Sequence, residues 1–273
     1  MKKLWFSLAA LALFTACDKD DNGNDKQPEL LSKKVARIET TYTEDGKSEK
    51  ETLEYAYGKD GKLVSIKDGD GETAITYGEN EVVVKGQHEI HTYTLENGRA
   101  VKFSYAEVGF SYAKEADVYL NGKCVYAGEY LSKVSQKDVA EGMEFVENYS
   151  FKDGNLMKYS FTVYGEEEGE KYEDTDECEF TYGKQPNNLN LDFFAFFTET
   201  FSERYMGMLG ITGKRSACFP ETIKYSYVDE ETGERMTDTA DCKYETNADG
   251  YLTKVTVATL SEKKMEFVIA YEE

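Results

Sequence analysis

The segment YAYGKDGKLVSI, residues 55–66, contains the pattern that decides the fold of this chain. An aromatic stretch is followed by the turn pair Asp60-Gly61 and then by an apolar stretch, and an Asx-Gly pair between such stretches is typical of a β-hairpin. Three related phrases recur, namely YTLENGRAVKF (93–103), YSFKDGNLMKY (149–159) and YETNADGYLTKV (244–255). Their turn residues are spaced by 37, 56 and 96 residues, so the chain is a meander of related hairpins and not a solenoid of fixed period.

Alternation of apolar and polar residues extends this pattern along most of the chain. Leu53, Tyr55 and Tyr57 alternate with polar or small residues, as do the residues of 101–105, 157–163, 223–227 and 265–271. A period of two predicts antiparallel strands with one apolar and one polar face. Most alternating runs last about six residues. Besides Asp60-Gly61, four further Asx-Gly pairs predict turns, namely Asn97-Gly98, Asn121-Gly122, Asp153-Gly154 and Asp249-Gly250.

One segment, LNLDFFAFFTETFSERYMGMLG (189–210), departs from the period of two. Phe194, Phe197, Phe201, Tyr205 and Met208 recur at steps of three and four, which predicts a helix near residues 191–209. Either Asn190 or Asp192 serves as its N-cap, and Gly210 ends it. The predicted fold is therefore all-β: an antiparallel β-barrel or a strongly curved meander sheet, with one aromatic-rich helix packed on the apolar face.

The mature chain resembles a family of uncharacterised Bacteroidota lipoproteins described as having a porin-like β fold. The resemblance rests on the aromatic-turn-apolar hairpins, on YGKQPNNLN (182–190) before the helix, and on the run from KRSACFPETIKYSY (214–227) to DGYLTK (249–254). The hairpin phrase is also similar to the tyrosine-aspartate repeats of secreted bacterial proteins. The resemblance implies a barrel-like fold and assigns no catalytic residues.

The orientation of this predicted barrel follows from its strand lengths and its last residues. Strands that cross a membrane need about 9–11 residues and an apolar outer band. The predicted runs are shorter, and the chain ends in Glu272 and Glu273. We therefore expect the apolar face to point inward, toward the helix.

The first 21 residues predict export and lipid attachment. Lys2 and Lys3 precede an apolar run of 11 residues, Leu4 to Phe14, which is shorter than the roughly 20 residues of a membrane-spanning helix. The order Phe14-Thr15-Ala16-Cys17 resembles a bacterial lipobox, whose cysteine is acylated. The following Asp18, Lys19, Asp20 and Asp21 resemble the signal that directs Bacteroidota lipoproteins to the cell surface. The predicted organisation is a signal peptide (1–16), a lipidated flexible tether (17–32) and one β domain (33–273).

Composition limits the partners of the protein. The chain has a formal net charge of −21, which argues against binding to nucleic acid or to an anionic membrane surface. Tyrosine is abundant at 21 residues, which favours strands whose rings are buried while their hydroxyl groups reach water. Four cysteines remain besides Cys17, namely Cys124, Cys178, Cys218 and Cys242. Buried free thiols are the first expectation, and Cys178–Cys242 is the alternative disulfide to test first.

The candidate metal sites are weak in sequence. His88 and His91 are expected on a strand, where they point to opposite faces, rather than in a zinc site. The acidic turn Asp68-Gly69-Asp70-Gly71-Glu72 lacks calcium-loop spacing and predicts a plain hairpin turn. The acidic runs 166–170 and 174–177 predict a solvated face in or beside a long loop. No metal, cofactor or catalytic residue is assigned.

The sequence thus predicts a non-enzymatic lipoprotein in the outer membrane, anchored by lipid at Cys17 and facing the cell exterior. Its expected role is capture of a glycan or peptide, or service as an accessory to an outer-membrane uptake complex. The alternatives are a structural envelope protein without a small ligand and, more remotely, a hydrolase of extracellular polymer. A hydrolase requires two carboxylates roughly 5–10 Å apart in a cleft.

Overall fold

The computed structural model describes residues 29–108, 117–140, 142–167, 170–191, 201–228, 232–259 and 263–273. These residues form 16 β-strands and one short helix, α1 (Phe201–Leu209). The strands are β1 (Val35–Glu44), β2 (Lys47–Tyr57), β3 (Leu63–Lys67), β4 (Glu72–Tyr77), β5 (Glu81–Lys85), β6 (Glu89–Glu96), β7 (Arg99–Glu107), β8 (Asp117–Ala127), β9 (Tyr130–Asp138), β10 (Glu144–Lys152), β11 (Asn155–Glu167), β12 (Glu170–Pro186), β13 (Cys218–Val228), β14 (Arg235–Thr246), β15 (Leu252–Thr259) and β16 (Lys264–Tyr271).

Every strand pairs antiparallel with its neighbours in sequence, and β1 pairs with β16, so the sheet closes into a barrel. The closing register runs from Val35 opposite Tyr271 to Thr43 opposite Lys264. The all-β prediction is confirmed, and of its two forms the structure has the closed barrel. A closed barrel leaves no strand edge unpaired.

The strand order gives the barrel two different ends. One end holds the turns that connect each even-numbered strand to the following odd-numbered strand, such as residues 58–62, 97–98 and 153–154. We call it the lower end. The β12–β13 connection also begins and ends there; its described parts, residues 187–191 and 201–217, are called the inner connection. The upper end holds the remaining turns, such as 45–46 and 68–71.

Apolar side chains point into the barrel and charged ones point outward. In β5, Val82 and Val84 are fully buried whereas Glu81 and Lys85 are exposed. The outer face carries ion pairs between neighbouring strands, among them Lys158–Glu177 at 2.7 Å, Lys254–Glu266 at 2.6 Å and Lys224–Glu179 at 3.3 Å. The apolar core therefore fills the inside of the barrel, and the outer surface is polar.

The strands are longer than the sequence pattern predicts. β11 has 13 residues and β12 has 17, against the expected run of about six. The first five residues of β12 are all exposed, so no buried residue marks this part of the strand. Strand length is thus no argument against membrane insertion, whereas the polar outer face is one, because membrane barrels carry an apolar outer band.

The predicted turns are confirmed in four of five places. Asn97 and Gly98, and likewise Asp153 and Gly154, have positive φ values between 51° and 78°, as a two-residue hairpin turn requires. The Asn121-Gly122 prediction is wrong, because both residues lie inside β8. Gly122 is required there for another reason: the ring of Phe103 on β7 occupies the space of a Cβ atom. A two-residue turn that the prediction missed is Asp45-Gly46.

Tyrosine hydroxyls tie the lower end together. Six tyrosines near the ends of even strands donate a hydrogen bond to a backbone carbonyl near the start of the preceding strand. The pairs are Tyr57–Val35 (2.8 Å), Tyr77–Leu63 (2.9 Å), Tyr126–Ala100 (2.8 Å), Tyr182–Leu156 (2.6 Å), Tyr244–Pro220 (2.6 Å) and Tyr271–Leu252 (2.7 Å). We call these six contacts the tyrosine latches. They correct the expectation that the hydroxyls reach water.

A phenol hydroxyl keeps its proton at neutral pH, so the latch tyrosines act as donors. Burial raises the pKa of Tyr57 and of Tyr77 further, to about 12. The two hairpins with the tight Asn97-Gly98 and Asp153-Gly154 turns instead carry Leu95 and Phe151 at this place, and Phe151 stacks on Tyr130 at 4.6 Å. The repeated aromatic of the hairpin phrase is therefore a structural element of the lower end.

The helix differs from its prediction. Its described residues run from Phe201 to Leu209 and are followed by Gly210 at φ 68°. Among the described side chains of α1, those of Met206 and Met208 are buried and that of Tyr205 is half-buried, and an aromatic stripe packed on the sheet is not confirmed. Phe194, Phe197 and Asp192 lie outside the described residues. No helix in the described part of the chain is long and apolar enough to cross a membrane.

Asn190 has a different role from the predicted helix cap. Its Oδ1 accepts a hydrogen bond from the Val35 amide at 2.9 Å, and its Nδ2 donates to the Tyr57 hydroxyl at 2.8 Å. Asn190 therefore fixes the inner connection to β1 and β2 at the lower end.

Candidate functional site

The predicted lipid-attachment and export residues, Cys17 and Asp18, Lys19, Asp20 and Asp21, lie outside the described residues. The structure places the N-terminal end of the described chain at the lower end of the barrel, where the Leu31 amide donates to the Asn188 carbonyl at 2.9 Å. The C-terminus lies beside it, since the Glu272 amide donates to the Lys34 carbonyl at 2.9 Å.

The histidines separate as the strand prediction requires. His88 is exposed before β6, whereas the ring of His91 is buried inside the barrel. His91 Nε2 lies 3.3 Å from Glu89 Oε2 without the alignment of a hydrogen bond, and Tyr205 of α1 donates to Glu89 Oε1 at 2.9 Å. His91 and then Tyr205 hold the pKa of the Glu89 carboxyl below its usual value. This cluster fastens α1 to the upper end.

The acidic segments form secondary structure. Asp68 Oδ1 accepts the amides of Asp70 and Gly71 at 2.9 and 3.0 Å, which confirms a plain hairpin turn. The runs 166–170 and 174–177 were predicted in or beside a loop; their described residues instead lie on the paired strands β11 and β12. Within the residues that the structure describes, no group of three or more His, Cys, Asp or Glu could hold a metal ion.

The first expectation, free thiols, is confirmed for Cys124, Cys178 and Cys242, and the alternative Cys178–Cys242 disulfide is not formed. β13 separates the strands of Cys178 and Cys242, which explains why they do not meet. Burial raises the pKa of Cys178 to about 12 and of Cys242 to about 11, so neither thiol is a reactive thiolate at neutral pH.

Glu147 is a fully buried carboxylate inside the barrel wall. It accepts hydrogen bonds from Gln136 Nε2 at 2.8 Å, from the Tyr149 hydroxyl at 2.8 Å and from the Tyr159 hydroxyl at 3.1 Å. These donors satisfy the acid within the core and keep it away from solvent, so this network has a structural role.

A cleft of about 580 Å³ opens at the lower end. Its walls come from the turns before β7 and β9, from Leu30 near the chain start, and from the inner connection. The lining residues are Leu30, Asn97, Arg99, Gly128, Glu129, Asn190, Gly207, Gly210, Thr212, Gly213, Lys214 and Arg215. Three cationic side chains and one carboxylate thus line a cleft in a chain whose net charge is −21.

Hydrogen bonds hold the walls of the cleft. The Ala100 amide donates to the Ile211 carbonyl at 2.9 Å, and the Lys214 amide donates to the Glu129 carbonyl at 2.8 Å. Gly213 has φ 88°, and a side chain there would meet that same carbonyl oxygen of Glu129. The cleft is therefore built into the folded chain.

The cations are held by partners of different kinds. The guanidinium of Arg99 lies over the Tyr126 ring at 4.6 Å and donates from Nη1 to the Gly128 carbonyl at 2.8 Å. Lys214 Nζ lies 2.7 Å from Glu129 Oε2 and holds the pKa of that carboxyl below its usual value. Arg215 Nη1 donates to the Leu191 carbonyl at 2.8 Å.

Sequence reasoning missed this cleft. Its residues come from four segments that are separate along the chain and meet only when the barrel closes. The available signal was the Lys214-Arg215 pair at the start of KRSACFPETIKYSY, two adjacent cations in an acidic chain. Paired carboxylates for a hydrolase are not brought together here, since Glu129 is the one acid among the lining residues.

The fold defines the class of protein: a closed 16-stranded antiparallel barrel. Two solved structures are similar to it. A porin-like protein from Bacteroides vulgatus ATCC 8482 has a TM-score of 0.65 at 15% identity, over 88% of this chain and 99% of that one. A porin-like protein from Bacteroides uniformis ATCC 8492 has a TM-score of 0.61 at 14% identity, over 90% and 100%. No family model and no curated protein matches the chain. At these identities the likeness establishes the shared fold.

Proposed function

We propose that this protein is a non-enzymatic, lipid-anchored binding protein of the outer membrane that captures a small ligand in the lower-end cleft. The observation that carries the proposal is the cleft itself, which is held open by backbone hydrogen bonds between the inner connection and two hairpin turns. A preformed concave site with a few polar groups is the usual form of a small-molecule site.

The barrel is proposed to stand in water beside the membrane. Its outer face carries charged residues and inter-strand ion pairs, whereas a membrane barrel presents an apolar band of about 25 Å to lipid. A lysine or arginine on a lipid-facing surface costs roughly 2–4 kcal/mol at the bilayer midplane, and an aspartate or glutamate costs less. Acylation of Cys17 would supply the membrane attachment that the barrel surface lacks.

The proposed anchor would join the barrel at its lower end and so favours an orientation with that end toward the membrane. Leu30, which lines the cleft, lies 13 positions after Cys17. A fully extended chain of this length spans at most about 45 Å. The cleft is therefore proposed to lie on the membrane-facing side of the domain, within reach of an outer-membrane partner that takes up the ligand.

Two experiments test the proposal. An alkyne fatty acid fed to the native cells should label the wild-type protein and leave Cys17→Ser unlabelled, with Cys178→Ser as the control that keeps its label. Labelling of Cys17→Ser at the wild-type level would exclude this anchor.

Glycan and peptide arrays probed with the full-length protein test the binding role. We expect the protein to be retained on one class of immobilised ligand, and free ligand of the same class to displace it. A flat response on both arrays would exclude small-ligand capture and favour the structural envelope role.

A further inference from the structure

The lining of the cleft differs in charge from the rest of the molecule. The chain has 53 acidic and 32 basic residues, yet the cleft is lined by Arg99, Lys214 and Arg215 against Glu129 alone. Like charges gathered in a concave site focus the local field and attract the opposite charge. The excess of positive charge at this place therefore points to an anionic ligand.

Arg99 is oriented as an anion-binding group. Stacking on the Tyr126 ring and one hydrogen bond to the Gly128 carbonyl fix the guanidinium plane. A guanidinium has five N–H donors, and Nη1 is the only Arg99 atom with a hydrogen bond in the described part of the chain. The remaining donors are available to the two oxygens of a carboxylate, which a planar fork binds in bidentate fashion.

The inner connection brings positive charge to the facing wall. Its backbone is fixed by the bond from the Lys214 amide to the Glu129 carbonyl, and Arg215 is held by the Leu191 carbonyl. Glu129 already forms an ion pair with Lys214, and its side chain is 68% exposed. This internal ion pair shows that a cation of the cleft binds a carboxylate there.

The neutral lining and the volume limit the rest of the ligand. Asn97, Thr212 and several glycines offer amide, hydroxyl and backbone groups, and none of the described lining residues is aromatic. A space of about 580 Å³ lies in the range of small-molecule sites, roughly 300–1,000 Å³. The site is therefore suited to a small polar molecule recognised through its charge and not by stacking on a ring.

We infer that the lower-end cleft binds the carboxylate of a small polar ligand, with Arg99 as the principal contact. This inference rests on the proposed binding function and names its ligand class. Two sources carry this chemistry, the acidic sugar of a glycan and the C-terminus of a short peptide, and the experiment below separates them.

Calorimetric titration of the full-length protein tests the inference with four probes. They are a uronic-acid disaccharide, the neutral disaccharide of the same linkage, a tripeptide with a free C-terminus and the same tripeptide as its C-terminal amide. We expect one of the two acidic probes to bind at least about tenfold more tightly than its neutral counterpart, which identifies the source. Its affinity should fall as salt rises.

Variants locate the contact. Arg99→Gln should weaken binding of that acidic probe about tenfold or more. Arg37→Gln, which removes an arginine from the outer face of β1, should leave the affinity unchanged. Arg215→Gln is a second cleft variant, used if thermal melting shows that Arg99→Gln does not fold, and it should also weaken binding.

The outcomes separate the two proposals. Equal affinity for charged and neutral probes, unaffected by Arg99→Gln and Arg215→Gln, would overturn the carboxylate inference while leaving a binding function in place. Binding of none of the four probes would overturn the inference, and a flat array response as well would overturn the binding function.

Discussion

The two ends of the barrel are built differently, although the same strands form both. At the lower end, tyrosine latches, the inner connection and both ends of the described chain are joined by hydrogen bonds to backbone groups. At the upper end, the described turns are closed by short-range backbone hydrogen bonds such as the one from the Gly86 amide to the Glu89 carbonyl, and side chains add the Lys263–Glu44 ion pair at 2.7 Å and the Tyr205–Glu89 bond. Because the inner connection and both ends of the described chain are fastened there, we expect the lower end, which also holds the preformed cleft, to contribute more of the stability.

The largest expected difference between the ends comes from removing a ring. Phe219 is 2% exposed and stacks on Tyr244 at 5.4 Å, so Phe219→Ala should lower the free energy of unfolding by about 3–5 kcal/mol. Tyr164→Ala, on a side chain 38% exposed toward the upper end of β11, should cost less than about 1 kcal/mol. Urea unfolding followed by far-UV circular dichroism measures both, because the single tryptophan, Trp5, lies in the predicted signal peptide. Equal losses would contradict the comparison.

The second-largest expected effect on stability comes from replacing a glycine at each end of the barrel. Gly213→Ala introduces a side chain at φ 88° against the Glu129 carbonyl, and should destabilise the protein by about 1–3 kcal/mol. Gly69→Ala in the β3–β4 turn meets no atom within 4 Å and should change stability by less than about 0.5 kcal/mol. Thermal melting of the two variants side by side provides the measurement. A neutral Gly213→Ala would mean that the cleft wall is not rigid.

A single tyrosine latch has a smaller effect. Tyr244→Phe leaves the ring in place but removes the hydrogen bond to the Pro220 carbonyl, and should cost about 1 kcal/mol. The matched control is Tyr227→Phe on β13, whose ring is 39% exposed near the upper end, and it should be neutral. Hydrogen exchange at the lower-end amides should increase in Tyr244→Phe alone. Identical exchange in both variants would mean that the latches add nothing.

The smallest effect concerns pH at the upper end. Because His91 and Tyr205 lower the pKa of Glu89 below its usual 4.5, the ionised carboxylate stabilises the folded state above that pH. The stability advantage of the wild type over Glu89→Gln should be constant above pH 4.5 and should shrink as pH falls through the lowered pKa. Unfolding midpoints between pH 7 and about pH 3 test this, with Glu49→Gln on the exposed part of β2 as the control. An advantage that grows in acid would contradict the assigned sign.

The sequence predicted the inward apolar face because alternation in segments such as 53–57 and 265–271 is visible without any partner strand. It did not predict strand length, since the first five residues of β12 are all exposed and show no alternation of apolar and polar residues. Asn121-Gly122 has the composition of a turn, yet Phe103, a neighbour only in the folded barrel, explains its glycine.

The candidate site shows the same limit more strongly. Arg99 follows the Asn97-Gly98 turn, and in the sequence nothing distinguishes it from an ordinary surface residue of a hairpin. Only the ring of Tyr126 and the carbonyl of Gly128, both on the next hairpin, turn it toward the cleft. Lys214 and Arg215 reach the same place through a connection whose path is not encoded in local periodicity. Sites that need closure of the whole barrel are invisible to patterns of a few residues.

Pairing of the first strand with the last one has a consequence for biogenesis. Val35 and Tyr271 are partners that lie 236 positions apart. β1 can therefore pair with its second neighbour, β16, only after nearly all of the described chain has been synthesised. Contacts of such long sequence separation form slowly. A chain of this design reaches its final form only after β16 has emerged, and this delay fits the proposed export, in which the chain would pass through a channel in an extended state.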